Sequence, residues 1–93
     1  MREYELILVI HPDLDETAFN ELLQRVSSWI KDDGGEVIKT DIWGKRELAY
    51  PIRKQKQGQY VLLHIKIAPQ FCTQLDRNLR FLEPVIRFML TNK

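Results

Sequence analysis

Trp43-Gly44-Lys45-Arg46-Glu47-Leu48-Ala49-Tyr50-Pro51-Ile52-Arg53-Lys54-Gln55-Lys56-Gln57-Gly58 joins two strand patterns, and its glycines and proline set their place in a sheet. Upstream, residues 36 to 43 read as a strand that runs on towards Tyr50, with a break at Gly44 of the kind that marks a bulge. Pro51 has no N–H to give to a ladder, so this strand belongs at a sheet edge. Residues 54 to 58 read as a polar hairpin loop. Downstream, residues 59 to 67 alternate: Val61, Leu63, Ile65 and Ile67 share one face, and Tyr60, Leu62, His64 and Lys66 share the other.

The flanks supply the remaining elements. Residues 3 to 10 begin as alternation and end as a continuous apolar run, the pattern of a central strand covered on both faces. His11-Pro12-Asp13 stops it, and Asp15 offers an N-cap with Glu16 at the positive end of a helix. Over residues 16 to 31, Phe19, Leu22, Leu23, Val26, Trp29 and Ile30 fall three and four apart and form one stripe. Gly34 or Gly35 is free to take the left-handed conformation that ends such a helix. After the third strand, Pro69 opens a second helix with a stripe of Phe71, Cys72, Leu75, Leu79 and Leu82, and Pro84 bars its extension. Residues 85 to 90 form a last strand, with Ile86, Phe88 and Leu90 on one side and Arg87 and Met89 on the other.

The order strand, helix, strand, strand, helix, strand is α+β. It predicts a ferredoxin-like βαββαβ unit: a four-stranded antiparallel sheet with both helices on one face. Right-handed crossovers put the first and third strands in the middle and the second and fourth at the edges. If Leu6, Leu8, Ile10, Val61, Leu63 and Ile65 meet the helices, then Ile7, Val9, Leu62 and Met89 point outward, an apolar patch on a bare sheet face that suits a protein partner.

Ninety-three residues make a single domain, residues 1–93. The lone Cys72 excludes an internal disulfide and a multi-cysteine zinc site. No apolar run approaches the roughly 20 residues of a membrane span, and the N-terminus reads as a strand instead of a signal or transit peptide, so a cytoplasmic location is expected. The basic stretch carries a net charge of +4 although the chain as a whole is only +1. The balance is uneven, since residues 13 to 36 hold seven acids and two bases and leave the rest of the chain basic. Such a field can dock one face on RNA.

Charge alone favours a plainer reading of the stretch, a solvated hairpin whose lysines guard an edge strand. Trp43 and Tyr50 fit packing within the hairpin and packing on a partner equally well, with base stacking below both. Tyr60 is a weaker stacking candidate, and the paired aromatics of RNA-recognition-motif sheets are missing. His11 and His64 have no second ligand at metal spacing and read as structural. Cys72 reads as a small buried hydrophobe. Asp13, Asp15 and Glu16 are explained by helix capping. Gly34-Gly35 follows a helix, so it is not a phosphate loop. No metal, cofactor or small-molecule substrate is called for.

Along nearly its whole length the sequence resembles the family of the bacterial small-subunit ribosomal protein number six. The resemblance rests on Met1-Arg2-Glu3-Tyr4-Glu5, the His11-Pro12-Asp13-Leu14-Asp15 turn, the Gly34-Gly35 pair and, above all, Trp43 to Ile52 with its Gly-Lys-Arg-x-Leu-Ala-Tyr-Pro-Ile string. Gly58-Gln59-Tyr60 and Glu83-Pro84-Val85-Ile86-Arg87-Phe88 extend it. The resemblance implies the ferredoxin-like fold already read from the pattern. It also implies a non-enzymatic role in the ribosome: binding the central domain, or platform, of 16S ribosomal RNA as a heterodimer with ribosomal protein number eighteen. Many members carry a charged C-terminal tail, whereas this sequence stops at Lys93, so contacts made by such a tail are not implied.

With the resemblance, Lys45, Arg46, Arg53, Lys54 and Lys56 become phosphate contacts that position the protein without reading sequence. Arg2, Arg80 and Arg87 extend that footprint, and Arg77 is read as solvated. Trp43, Leu48 and Tyr50, with Ile7, Val9, Leu62 and Met89, form the expected partner surface. Two other classes compete with this reading. A ferredoxin-like homo-oligomerising regulatory or ligand-binding module would bind through the apolar face with little salt dependence. A small enzyme of the acylphosphatase type lacks its residues, because no loop after the first strand combines an Arg and an Asn with a phosphate-cradling glycine turn.

Overall fold

The computed structural model describes residues 1–92. The chain runs β1 (Arg2–Ile10), α1 (Glu16–Asp32), β2 (Glu36–Ile52), β3 (Gln55–Ile67), α2 (Phe71–Arg80) and β4 (Val85–Asn92). The strands form one antiparallel sheet in the order β2-β3-β1-β4, with β1 and β3 inside as the crossover rule requires. This is the ferredoxin-like arrangement expected from the sequence.

The alternation of each strand decides what faces the helices. Leu6, Leu8 and Ile10 of β1 and Val61, Leu63, Ile65 and Ile67 of β3 are fully buried. Phe19, Leu22, Val26 and Ile30 of α1 and Phe71, Leu75 and Leu79 of α2 close over them. No polar or charged residue is buried among the described residues, so the core leans on apolar area.

Helix α1 starts and stops as its ends dictate. The Asp15 carboxylate accepts from the Ala18 N–H at 2.8 Å, satisfying one orphan donor of the first turn. At the other end Gly34 takes φ +84°, its N–H donates to the Lys31 carbonyl, and the Gly35 N–H donates to the Ile30 carbonyl. That pair of bonds is a Schellman closure. Gly35 has a second duty: a Cβ there would sit 2.6 Å from the Lys66 carbonyl oxygen and 3.0 Å from Ile67, so the loop can pass this close to β3 only without a side chain.

Four details differ from the sequence reading. Helix α2 begins at Phe71, because Ala68 to Cys72 first makes tight turns in which Phe71 donates to Ala68 and Cys72 to Pro69. Cys72 is half-buried at the rim of the stripe. Of the expected loop at residues 54 to 58 only Lys54 is turn, and the rest is strand: Ile52 pairs with Gln55, and Arg53 and Lys54 alone make the turn at φ +50° and +65°. Both central residues are left-handed, as the two-residue hairpin geometry requires. Residues 55 to 57 are polar because the arm projects beyond the core, so they carry no apolar period. The fourth detail is Val9. It lies on the face away from the helices, but it is buried instead of pointing outward, with Gly58 of the paired strand β3 beside it and Leu48, Ala49 and Tyr50 of the arm lining the same groove. A Cβ on Gly58 would stand 2.5 Å from Val9 Cγ1.

These glycines make separable predictions. Gly35→Ala forces backbone and core atoms apart and should cost about 2–3 kcal/mol. Gly44→Ala meets open space but keeps φ +83°, so only the left-handed strain of about 1 kcal/mol remains. Urea unfolding midpoints of the two variants should rank in that order.

Candidate nucleic-acid and partner interface

The site is built by irregularities in β2. The ladder to β3 slips at Ile42/Gly44, where Gly44 takes φ +83°, confirming the bulge expected there. It then breaks more widely: Glu47 pairs with Gln57 and Ile52 with Gln55, so Leu48, Ala49, Tyr50 and Pro51 stand opposite Lys56 alone. Extra residues on one strand bend it and raise its twist. Pro51, unable to donate, falls where no ladder bond is needed. The arm therefore curls back across the open face towards β4. Two long-range bonds hold it there. Arg87 Nη1 donates to the Tyr50 hydroxyl at 2.6 Å, and Arg53 Nη1 donates to the Glu83 carbonyl at 3.0 Å.

This curl divides the basic residues. Lys45 and Lys56 line a cleft of about 570 Å³ between the arm and the Pro12-Asp13 turn, with Lys54 exposed at the tip. Arg46 turns to the sheet face, its guanidinium 5.4 Å from the Trp43 ring centre, a cation–π contact. Arg53, Arg80 and Arg87 line a different cleft, of about 480 Å³, along β4 and the end of α2. There Arg80 Nε donates to Asp76 at 2.7 Å, a bond that holds its pKa above the ordinary value, and its guanidinium lies 5.8 Å from the Phe88 ring centre. Arg2 is not brought in. It pairs with Ile67 at the other end of β1, roughly 25 Å from the arm at the rise of a strand.

The apolar residues converge under the arm. Ile7, Val9, Leu48, Tyr50 and Met89 line a groove of about 260 Å³ with Ile52, Tyr60 and Phe88, and Arg87, which also lines the β4 cleft, stands at its border. Val9 forms its floor; Ile7 is half-buried, and Met89 and Tyr50 are exposed. Leu62 lies beside Ile7 in the ladder, next to the groove, and is half-buried. Trp43 stacks on Tyr60 with ring centres 6.3 Å apart and planes 9° from parallel, so it packs within the hairpin while keeping an exposed face. Beyond Leu62, His64 lies between carboxylates, with Nε2 3.4 Å from Asp41 and Nδ1 4.0 Å from Glu5. Sequence reasoning does not single out Ile52 or Phe88 as site residues. Alternation places Phe88 on the helix side, where it packs against the core, and it also borders the groove at the β4 edge.

The comparisons with known proteins agree over nearly the full length. A family model described as Ribosomal protein S6 matches residues 3–92. The small ribosomal subunit protein bS6 of Moorella thermoacetica is 40% identical over 91 residues, covering 98% of this chain and 93% of its own. That of Mycobacterium tuberculosis is 44% identical over 87 residues, covering 94% and 91%. The crystal structure of 30S ribosomal protein S6 from Thermotoga maritima superposes with a TM-score of 0.92 at 27% identity, over 99% of this chain and 87% of that one.

The two tethers predict how the arm moves. With Tyr50→Phe and Arg53→Ala combined, amide exchange across residues 45 to 57 should quicken roughly tenfold, the change expected from removing two exposed hydrogen bonds. Exchange in the buried half of β3 should not change.

Proposed function

Because the chain belongs to the ribosomal protein S6 family, we propose that it binds the central domain of 16S ribosomal RNA together with small-subunit ribosomal protein number eighteen. The homologues are structural proteins of the small ribosomal subunit, and this chain is a component of the same particle. Its role in this reading is to hold RNA and protein side by side, with no catalytic step and no cofactor.

The observation that carries the reading is the division of one stretch between two faces. The bulge at 48–51 leaves Lys45, Lys54 and Lys56 on the exposed arm and sends Leu48 into the groove beside Ile7 and Met89. Lysines on an arm reach phosphates as point charges and release counterions. The apolar groove, rimmed by Trp43, Tyr50 and Leu62, offers a protein partner area that water leaves readily. One ligand on each face explains why binding the two together would be cooperative: each orders part of the same arm. Arg46, held on Trp43, stands at the border and serves either ligand. Arg2 would make a separate contact at the far end of the sheet.

A salt series of binding to a central-domain RNA fragment, with and without protein number eighteen, tests the reading. Binding should be tight, partner-dependent and steeply weakened by salt. Replacing Lys45, Arg46 and Lys54 with Ala should leave the fold intact and lower the salt slope by about 1 for each phosphate no longer neutralised. Unchanged binding would remove the basic stretch from the mechanism. Leu62→Asp should abolish binding of protein number eighteen while the chain remains folded by circular dichroism. Salt-insensitive self-association with no RNA binding would favour a homo-oligomeric module instead.

A further inference from the structure

Resting on that reading, we infer that the β4 cleft formed by Arg53, Arg80 and Arg87 is a second, geometrically specific site for RNA backbone phosphate, distinct from the lysine arm, with Tyr50 as a positioning residue. Arg80 ends α2 and Arg87 follows it on β4, while Arg53, distant in sequence, joins them because the arm curls over to β4. Each guanidinium is already fixed by one internal bond: Arg53 to the Glu83 carbonyl, Arg87 to the Tyr50 hydroxyl, Arg80 to Asp76. A guanidinium has more donors than one such bond uses, in a rigid fork that matches phosphate oxygens two at a time. Arg80 is further held over the Phe88 ring.

The charge fits as well. Three guanidiniums line the cleft against one carboxylate, Asp76, whose nearer oxygen is occupied by Arg80. An ordered fork loses little rotamer freedom when it binds, so these contacts should be tighter, residue for residue, than those of the flexible lysines. The dependence also differs in kind. On the arm, charge is what counts; in the cleft, fork geometry is, and lysine cannot replace arginine there.

The experiment uses the full chain with protein number eighteen and the central-domain RNA fragment. Dissociation constants are read across a salt series for wild type, Arg87→Lys, Arg87→Ala, Tyr50→Phe and the double variant Tyr50→Phe/Arg87→Ala. Arg87→Lys keeps the charge, so the salt slope should hold while affinity falls about tenfold. Arg87→Ala should also reduce the slope by about 1. Tyr50→Phe should weaken binding roughly threefold in the wild-type background and not at all beside Arg87→Ala, the signature of a residue that acts through Arg87. If Lys45→Ala weakens binding but Arg87→Lys and Tyr50→Phe match wild type, the cleft is not a phosphate site and the arm reading stands alone. A loss that appears in binding of protein number eighteen without RNA would make the cleft a protein contact and overturn the inference. If wild type itself does not bind RNA, the functional reading and this inference fall together.

Discussion

Four residues of β2 opposite one of β3 is the constraint on which the functional surface depends. A regular hairpin of this length would project straight past the sheet edge, with both faces in water. The surplus at Leu48, Ala49, Tyr50 and Pro51 has to be accommodated by bending, and antiparallel pairs bend by coiling towards one face. Once bent, the arm lines a groove with Val9, and only a glycine at position 58 leaves room for the Val9 side chain beside it. The Tyr50 and Arg53 bonds then hold a geometry that the bulge has already chosen. The turn itself places Arg53 and Lys54 in left-handed backbone, a strain of roughly 1–2 kcal/mol per residue. Such strain is kept where surrounding structure determines the conformation, and it gathers at functional sites.

How much of this can be read from residues depends on the range of the cause. The buried faces of β1 and β3, the Asp15 cap and the Gly34 stop follow from alternation and capping within a few positions, and they are legible. So is the bulge at Gly44, and the edge position of β2 from Pro51. The ladder through 55 to 57 is not, since residues on an arm with water on both sides have no apolar period to show. Val9 illustrates a longer-range failure: its alternation assigns the face correctly, but what buries it comes from a segment nearly fifty residues on. The grouping of Arg53 with Arg80 and Arg87 is of the same kind. Sequence places Arg53 among the lysines of its own stretch, while the fold moves it to another cleft.

The charge distribution follows the same geometry. A near-neutral chain is poorly suited to holding RNA through total charge, yet local concentration suffices when the field is confined to one end. The acids of residues 13 to 36 lie mostly on α1 and its ends, which cover the opposite face of the sheet. The apolar core between them carries no buried charge among the described residues. The basic end can therefore be tuned by surface substitution without touching stability, as long as the groove and the core keep their shape.

The sheet order also bears on how the chain is made. β1 precedes the other three strands in the chain and is one of the two central ones, paired along one edge with β3 and along the other with β4. Tyr4 thus finds its partner Asn92 only after the helices and the other strands have been made. Until then a long apolar strand has a bare row of N–H and C=O groups, the usual template for unwanted pairing. The nascent chain is accordingly vulnerable until β4 has been made, and β4 acts as the closing strip that withdraws this edge from its neighbours.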